Sequence, residues 1–486
     1  MSDGPNVLLV SPEYPPIPGG IGDYTALLAR HLGLMGATVT VLTSGTGGDE
    51  RDESGVRILR TIPRWDWGLT ERVHNAIRLT GAEIVHIQYQ TGMYAMHPAV
   101  NLLPWTLGWH TPVLYQAFPS QFPPPLQWQF RVVTTFHDLR PPYLFPKTGL
   151  LRNGVTRFLA RTSDAVIATN GTDAATLRRW GTRPVLVPIG SNIPTITDSE
   201  QTAEARQRFR VQYGIALDAV LLTTFGLLNQ SKGLDTIIDT LALLREEGTP
   251  AHLLLIGAGV GANDPTNRAT DATVSARIAV MGLTPFVSRT GLLPARGVAD
   301  ALAWSDVCLL PYRDGASPRR GSLLAALAQG VPVITTMPEG EAYAGLPSLT
   351  GTAVAFVPPD NVAAMVAAVR HILVDTRYTA QLRLGARSYA AHFAWEAIAR
   401  STLAVYAGNA DDAQNALQNY GVEPQRHKDT KNEEKYFCFP LCASVPLWFM
   451  LSPLRSLAIV PDTGAKAQRQ SGIMARVSAG AEAGRE

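Results

Sequence analysis

Short apolar runs alternate with helical patterns along the first part of the chain. VLLV at residues 7–10 and TVTVLTS at 38–44 indicate strands that are buried on both faces. Between them, apolar side chains from Tyr24 to Leu32 recur at helical spacing, and Asp23 is the candidate N-cap. This strand–helix–strand order predicts a parallel, doubly wound α/β sheet.

The alternation restarts after a candidate linker at residues 193–208. Further apolar runs follow, including AVLLTTFG, HLLLIGAG, VCLLPY, VPVITT and AVAFVPP. Helical patterns separate these runs, so we expect a second α/β domain. The alternation stops near Ala407.

Two stretches depart from this pattern. Residues 94–129 are rich in Pro, Trp and Gln, which indicates a long loop or insertion near a site. Residues 408–486 are polar except for 19 uncharged residues at 436–454, a length that could span a bilayer. Three prolines interrupt that run, so a poorly ordered tail is expected, with peripheral membrane contact as the alternative.

Charge and cysteine content narrow the class of protein. The chain has 42 Lys and Arg against 40 Asp and Glu, and a net charge of +2 gives no reason to expect a nucleic-acid partner. Three cysteines are too few for a disulfide framework and no zinc-binding set is evident. The N-terminus lacks the features of a signal peptide. A reducing, cytoplasmic location is therefore expected.

Two candidate anion sites lie at predicted helix starts in the second half. Lys232 precedes Gly233 ahead of an amphipathic helix, and Arg319 and Arg320 precede a helix that begins at Gly321–Ser322. Helix amides and cationic side chains both favour phosphate oxygens. Each feature alone is also compatible with solvated surface cations. Together they fit a diphosphate held between two helix ends.

Candidate residues also follow strands in the first half. His137 and Asp138 end the run VVTTFHD, and ligands bind beyond the carboxyl ends of parallel strands. A structural histidine is the alternative, with Asp138 as a helix cap or an orienting partner. Gly19 and Gly20 precede a helix and could let a ligand approach the backbone, although a flexible turn would have the same sequence.

The segment GAGVGA at 257–262 matches a dinucleotide-binding fingerprint after a strand. Arg277 stands where an acidic residue would be needed, and no clear helix opens at NDPTN. A dehydrogenase is therefore disfavoured.

Six stretches, in this order, resemble the retaining glycosyltransferases of family four, which have the GT-B fold. They are PEYPPIPGGIGDYT, TFHD, GLLNQSKGLD, GLLPARGVADALAWSDVCLLPY, LLAALAQGVPVITT and FAWEAIA. The resemblance covers about residues 5–407 and implies two Rossmann-like, doubly wound parallel-sheet domains facing a cleft. The implied divisions are an acceptor-side domain at 1–195, a nucleotide-sugar domain at 205–385, a crossover helix at 386–407 that packs back on the first domain, and a tail at 408–486.

The resemblance also implies an activity. A hexose would pass from a nucleotide diphosphate sugar to a hydroxyl of a glycan or lipid-linked acceptor, with its anomeric configuration retained. The leaving phosphate itself would take the acceptor proton, and neither a cofactor nor a metal ion would be needed.

The resemblance assigns roles to single residues. Lys232 would bind the donor diphosphate, and His137 would line the donor sugar near the reacting carbon. Gly19 and Gly20 would border the acceptor and the diphosphate. The donor sugar would lie near Ser317 and Asp138.

The chain departs from the family pattern at three positions. Leu227 stands where an arginine is usual, and Ser317 and Ala325 stand where two glutamates are usual. We therefore hypothesise that Arg319 and Arg320 supply the missing charge, with the Gly321 and Ser322 amides completing the diphosphate site. The alternatives are a degenerate, non-catalytic binding protein and an epimerase or phosphorylase on the same fold. No convincing carboxylate pair supports a glycosidase.

Overall fold

The structure is a computed structural model. It describes residues 4–17, 19–109, 130–139, 149–196, 202–226, 230–257, 265–340 and 343–418. Several features of the sequence lie outside these ranges: Leu227, most of the GAGVGA segment, residues 197–201 of the candidate linker, the second part of the proline-rich stretch and the sequence after 418 that includes the uncharged segment.

The first half of the chain forms an eight-stranded sheet with helices on its faces. The elements are β1 (Asn6–Val10), α1 (Gly20–Leu34), β2 (Thr38–Ser44), β3 (Gly48–Arg51), β4 (Arg57–Ile62), α2 (Leu69–Thr80), β5 (Ile84–Gln90), α3 (Ala99–Trp109), β6 (Arg131–Asp138), α4 (Gly149–Thr162), β7 (Ala165–Ala168), α5 (Gly171–Arg179) and β8 (Val185–Leu186). The strand order is β3-β4-β2-β1-β5-β6-β7-β8. The strands are parallel except for β3, which pairs antiparallel with β4 at the edge.

The second half forms a six-stranded sheet that is parallel throughout. The elements are α6 (Ala203–Gln212), β9 (Val220–Phe225), α7 (Leu234–Glu246), β10 (Ala251–Ile256), α8 (Pro265–Val280), β11 (Val287–Arg289), α9 (Ala295–Ala303), β12 (Val307–Leu310), α10 (Gly321–Gln329), β13 (Val333–Thr336), β14 (Ala355–Val357) and α11 (Val362–Val374). The strand order is β11-β10-β9-β12-β13-β14.

Three further helices connect the second sheet back to the first. They are α12 (Thr376–Ala391), α13 (Trp395–Tyr406) and α14 (Ala410–Gln418). α12 packs on α10, whereas α13 packs on α1, and α14 contacts both α13 and β8. The end of α13 is fixed by Tyr406, whose carbonyl accepts a hydrogen bond from Arg131 at 2.6 Å and whose hydroxyl lies 2.7 Å from His86 Nδ1.

Each sheet separates two apolar layers. In β1, Leu8 and Val10 pack into one cluster, and Val7 and Leu9 pack into the cluster on the opposite face. This two-sided burial explains why the strands are continuous apolar runs rather than alternating ones. The predicted fold class, two Rossmann-like parallel-sheet domains with a C-terminal crossover helix, is confirmed.

The structure differs from the sequence analysis in four local places. The expectation that no helix opens at NDPTN is wrong, because α8 begins at Pro265, and proline is favoured at the first position of a helix. Residues 99–109 form α3 inside the predicted loop, because packing against α2 and α4 stabilises a helix that contains Pro104. α6 begins at Ala203, inside the predicted linker, where the side chain of Thr202 caps its N-terminus. α14 lies in the predicted tail and is held by the buried residues Ala413 and Leu417. The domain limits themselves stay predictions.

None of the helices within the described ranges is both long and apolar enough to cross a bilayer.

Candidate active site

A cavity of about 900 Å³ opens where loops of the two domains meet. It lies beyond the carboxyl ends of strands in both sheets, where ligands bind in open parallel sheets. Eight of the ten residues named from the sequence line it: Gly19, Gly20, His137, Asp138, Ser317, Arg319, Arg320 and Gly321. The other two, Lys232 and Ser322, are not among the residues that line the cavity.

His137 lies in the first-domain wall at the end of β6. Its ring contacts the Tyr24 ring edge-on, with 4.7 Å between centroids, and its Nε2 lies 2.9 Å from Gln88 Oε1. Because an amide oxygen only accepts, Nε2 donates, and Nδ1 carries the lone pair in the neutral ring. Desolvation lowers the pKa of His137 to about 4. The ring is therefore neutral near pH 7 and cannot serve as a cation there.

Lys232 is the central cation of the second-domain side. Its side chain is almost fully buried, at 7% exposure, and Nζ donates a hydrogen bond to the carbonyl of Phe225 at 2.6 Å. Burial, followed by repulsion from Arg320, lowers the pKa of Lys232 to about 8. The next residue, Gly233, has a φ of 59° and caps α7, as the sequence predicted.

The two predicted anion sites meet at Gly226, which follows β9. A Cβ atom added to Gly226 would lie 2.5 Å from Lys232 Nζ and 3.9 Å from Ser322 Cβ. The lysine ammonium and the start of α10 therefore share one small region. The first amides of α10 have no acceptor within their own helix, so they remain available to an anion there.

Arg320 belongs to this same region. Its guanidinium lies over the Tyr312 ring, 4.3 Å from the centroid, and it pairs with Asp314. The Tyr312 hydroxyl in turn lies 2.7 Å from Ser322 Oγ. These contacts hold the Arg320 charge beside Lys232 and the start of α10.

Arg319 points to the other domain. Its Nη1 lies 3.2 Å from Asp138 Oδ1 and 3.6 Å from Asp173 Oδ2. Asp173 is a buried residue of α5 that also accepts a hydrogen bond from Asn170 Nδ2 at 2.7 Å. Burial is the main reason that the pKa of Asp173 is raised. Asp173 could not be predicted from the sequence, because nothing near it marks it as a partner of residue 319.

The glycine loop before α1 is occupied by a carboxylate of the chain itself. Glu13 Oε1 accepts hydrogen bonds from the backbone N–H of Ile21 at 3.0 Å and of Gly22 at 3.2 Å. A side chain at Gly19 would collide with this carboxylate. The predicted cap, Asp23, instead lies in the first turn of α1, where a negative charge is also favourable.

Two of the three positions that depart from the family pattern, Ser317 and Ala325, have ordinary structural roles here. Ser317 begins a turn, and its carbonyl accepts a hydrogen bond from the Arg320 N–H at 3.0 Å. Ala325 is fully buried in the packing face of α10. Glu339 lines the cavity beside Gly315, so a carboxylate is present near the Ser317 turn although position 317 lacks one.

No group of three or more His, Cys, Asp or Glu side chains in the described ranges is arranged to hold a metal ion. Independence from metals and cofactors stays a prediction.

Comparisons with known proteins agree with this geometry. The family described as "Glycosyltransferase Family 4" matches residues 18–192, and that described as "Glycosyl transferases group 1" matches residues 219–375. A D-inositol 3-phosphate glycosyltransferase of Jonesia denitrificans is 30% identical over 225 residues, which are 45% of this chain and 49% of that protein. A GDP-mannose-dependent alpha-(1-6)-phosphatidylinositol monomannoside mannosyltransferase of Mycolicibacterium smegmatis is 28% identical over 207 residues, 41% of this chain and 51% of that protein. The chain thus spans about half the length of the curated relatives it matches.

Solved structures resemble most of the chain. The sucrose-phosphate synthase of Thermosynechococcus elongatus aligns with a TM-score of 0.59 at 21% identity, over 83% of this chain and 98% of that one. Anabaena HepE in complex with UDP-glucose aligns with a TM-score of 0.57 at 15% identity, over 83% and 99%.

Two facing parallel-sheet domains with this cavity between them define the GT-B class of glycosyltransferases. The chain belongs to the group 1 and family 4 glycosyltransferases of that class.

Proposed function

We propose that this protein transfers a hexose from a nucleotide diphosphate sugar to the hydroxyl of a glycan or lipid-linked acceptor, with retention of the anomeric configuration. The observation that carries the proposal is the meeting of Lys232 and the start of α10 at Gly226, with Arg320 beside them. A diphosphate leaving group develops negative charge as the glycosidic bond breaks, and fixed cations and amides stabilise such charge.

In this arrangement Lys232, Arg320 and the Gly321–Ser322 amides hold the diphosphate. The hexose extends from there toward the His137 wall. Since the His137 ring is neutral near pH 7, it can hydrogen-bond a sugar hydroxyl but has no acidic proton to give a leaving group. The leaving phosphate oxygen is then the base that takes the acceptor proton on the same face of the sugar, which leads to retention.

The names of similar proteins suggest which substrates to try. One neighbour was solved with UDP-glucose, and the names of two relatives specify D-inositol 3-phosphate and GDP-mannose. For this chain these compounds are starting points, because the relatives match over only about half of their length.

The test is release of nucleotide diphosphate from a panel of UDP-, ADP- and GDP-hexoses, with and without D-inositol 3-phosphate, followed by NMR of the product anomer. We expect at least one donor to be consumed, and Lys232→Met to abolish that reaction. Arg277→Met, which removes an exposed ion pair with Asp239, is the matched control and should leave it unchanged. An inverted product would contradict retention.

A non-catalytic binding protein is the second candidate, because Ser317 and Ala325 replace two carboxylates of the family pattern. Calorimetry separates the two. UDP or GDP binding without turnover of any donor would favour the binding protein over the enzyme.

A further inference from the structure

Two adjacent arginines of one loop are bound to different domains. Arg320 stays within the second domain, over Tyr312 and beside Asp314. Arg319 crosses to the first domain and reaches Asp138 and Asp173. The charge of Arg319 is therefore largely neutralised by carboxylates before any ligand arrives, which makes it a poor candidate for a diphosphate ligand.

We propose that Arg319 is a positioning residue that ties the loop before α10 to the Asp138–Asp173 carboxyl pair and so sets the distance between the two walls of the cavity. The proposal rests on the proposed function, since it assigns Arg319 a part in that reaction. It also replaces our hypothesis that both arginines clamp the diphosphate: Arg320 keeps that role and Arg319 does not.

The residues at the two ends of this link each adjoin a residue that lines the cavity. Asp138 directly follows His137, so a cation bound to Asp138 also fixes the end of β6 that carries the histidine. Arg319 directly precedes Arg320, the N-cap of α10, so the same link constrains the helix start that faces Lys232. The guanidinium of Arg319 thus connects the first-domain wall, which carries His137, with the second-domain wall, which carries Arg320.

Electrostatics gives the link its strength. The Arg319 side chain is 20% exposed and that of Asp173 only 4%, so solvent screens the interaction less than at an open surface. Without the guanidinium, Asp138 and Asp173 would be two carboxylates facing one gap with no shared cation from this loop. Asp173 would keep its hydrogen bond from Asn170 but lose its cation, which is unfavourable for a buried carboxylate, and the wall that carries it is expected to shift.

The central experiment compares Arg319→Met with Arg313→Met. Arg313 pairs with Asp235 and Asp360, both in the second domain, so it is a matched arginine whose ion pairs do not cross the cavity. We expect Arg319→Met to lower kcat for donor turnover roughly tenfold, because small misplacements of reacting groups are costly. UDP affinity by calorimetry should be unchanged in both variants, and kcat unchanged in Arg313→Met.

Hydrogen–deuterium exchange without ligand tests the link independently of activity. We expect faster exchange in Arg131–Asp138 and Gly171–Arg179 for Arg319→Met than for the wild type or Arg313→Met. Asp173→Asn should have a smaller effect, because Asp138 still binds Arg319, and the double variant should be no worse than Arg319→Met, which already breaks both contacts. Arg319→Lys should recover part of kcat, and it replaces Arg319→Met if that variant does not fold.

Three results would overturn the proposal: weakened UDP binding with kcat unchanged, additive effects of the two substitutions, or unchanged exchange in both segments. A wild-type protein that turns over no donor would instead contradict the proposed function, and the exchange comparison would still decide whether Arg319 joins the domains.

Discussion

Lys232 is a buried lysine, and burial destabilises the charged form of its ammonium group. Burial lowers its pKa from 10.5 to about 8, which corresponds to roughly 3 kcal/mol against the charged form. We propose that the donor diphosphate supplies the negative charge that offsets this cost. A bound dianion next to the ammonium would favour its protonated form and raise the pKa again.

The first prediction concerns the pH dependence of nucleotide binding. In the free protein Lys232 loses its proton as the pH rises through about 8, so UDP affinity should fall above that pH. Stability should move in the opposite direction. Between about pH 8 and 10.5 the unfolded chain keeps a proton that the folded chain has lost, so the contribution of Lys232 to the free energy of unfolding rises with pH.

Calorimetric titrations with UDP from pH 7 to 10 would measure this dependence. Lys232→Met should bind UDP with a low affinity that does not depend on this titration, about 2 kcal/mol weaker than the wild type at pH 7, because a charged hydrogen-bond donor is lost. Lys232→Arg keeps a charge that does not titrate in this range, so its UDP affinity should not fall above pH 8. The same decline in the wild type and in Lys232→Arg would show that another group is responsible.

At the scale of elements, the site is the junction of three ends: the carboxyl end of β9 and the starts of α7 and α10. Gly226 allows this junction for two reasons. Its φ is +105°, a conformation that L side chains rarely adopt, and a Cβ would lie 2.5 Å from Lys232 Nζ. Gly248, after α7, has a φ of +86° but no heavy atom within 4 Å of the added Cβ.

Alanine substitutions at these two glycines can be compared directly, because both have a positive φ and only Gly226 lies against Lys232. Gly226→Ala and Gly248→Ala should each lower stability by about 1 kcal/mol through backbone strain, as measured by urea unfolding. Only Gly226→Ala should also weaken UDP binding, because it displaces the ammonium. Equal UDP affinities in the two variants would mean that the anion does not bind at this junction.

The elements also show what sequence can and cannot predict. Alternating apolar runs and the Lys232–Gly233 helix start are local patterns, so the two sheets and the capped start of α7 could be inferred before the structure. α3 was missed because its stability comes from neighbouring helices rather than from its own composition.

Arg319 and Arg320 show that contacts between distant parts of the chain could not be predicted from the sequence. Arg319 and Arg320 are chemically identical neighbours, and only the placement of the first domain decides which one meets a carboxylate 181 positions away. Glu13 shows the same effect at shorter range. It could have been suspected as a cap, but its contact with Ile21 depends on how the PEYPP segment turns back on α1.

At the scale of the whole molecule, the chain passes between the two domains twice. It leaves the first domain in the segment after β8, and it returns to that domain with α13. Trp395, the first residue of α13, contacts the segment after β8. Its Nε1 donates a hydrogen bond to the Ser191 carbonyl at 2.7 Å, and Gly190 leaves no room for a side chain against the indole. The ring also lies 5.2 Å from that of Tyr24 in α1 and lines the cavity.

The last prediction follows from this position. Trp395→Ala should destabilise the protein by about 3–5 kcal/mol, because it removes a large buried ring and leaves a cavity where the two connections meet. Trp67→Ala is the matched control: Trp67 is 66% exposed, so its loss should cost less than about 0.5 kcal/mol. Scanning calorimetry should show a lower, divided transition for Trp395→Ala, because a loosened α13 lets the domains melt separately. A single transition at the wild-type temperature would mean that Trp395 does not couple the domains.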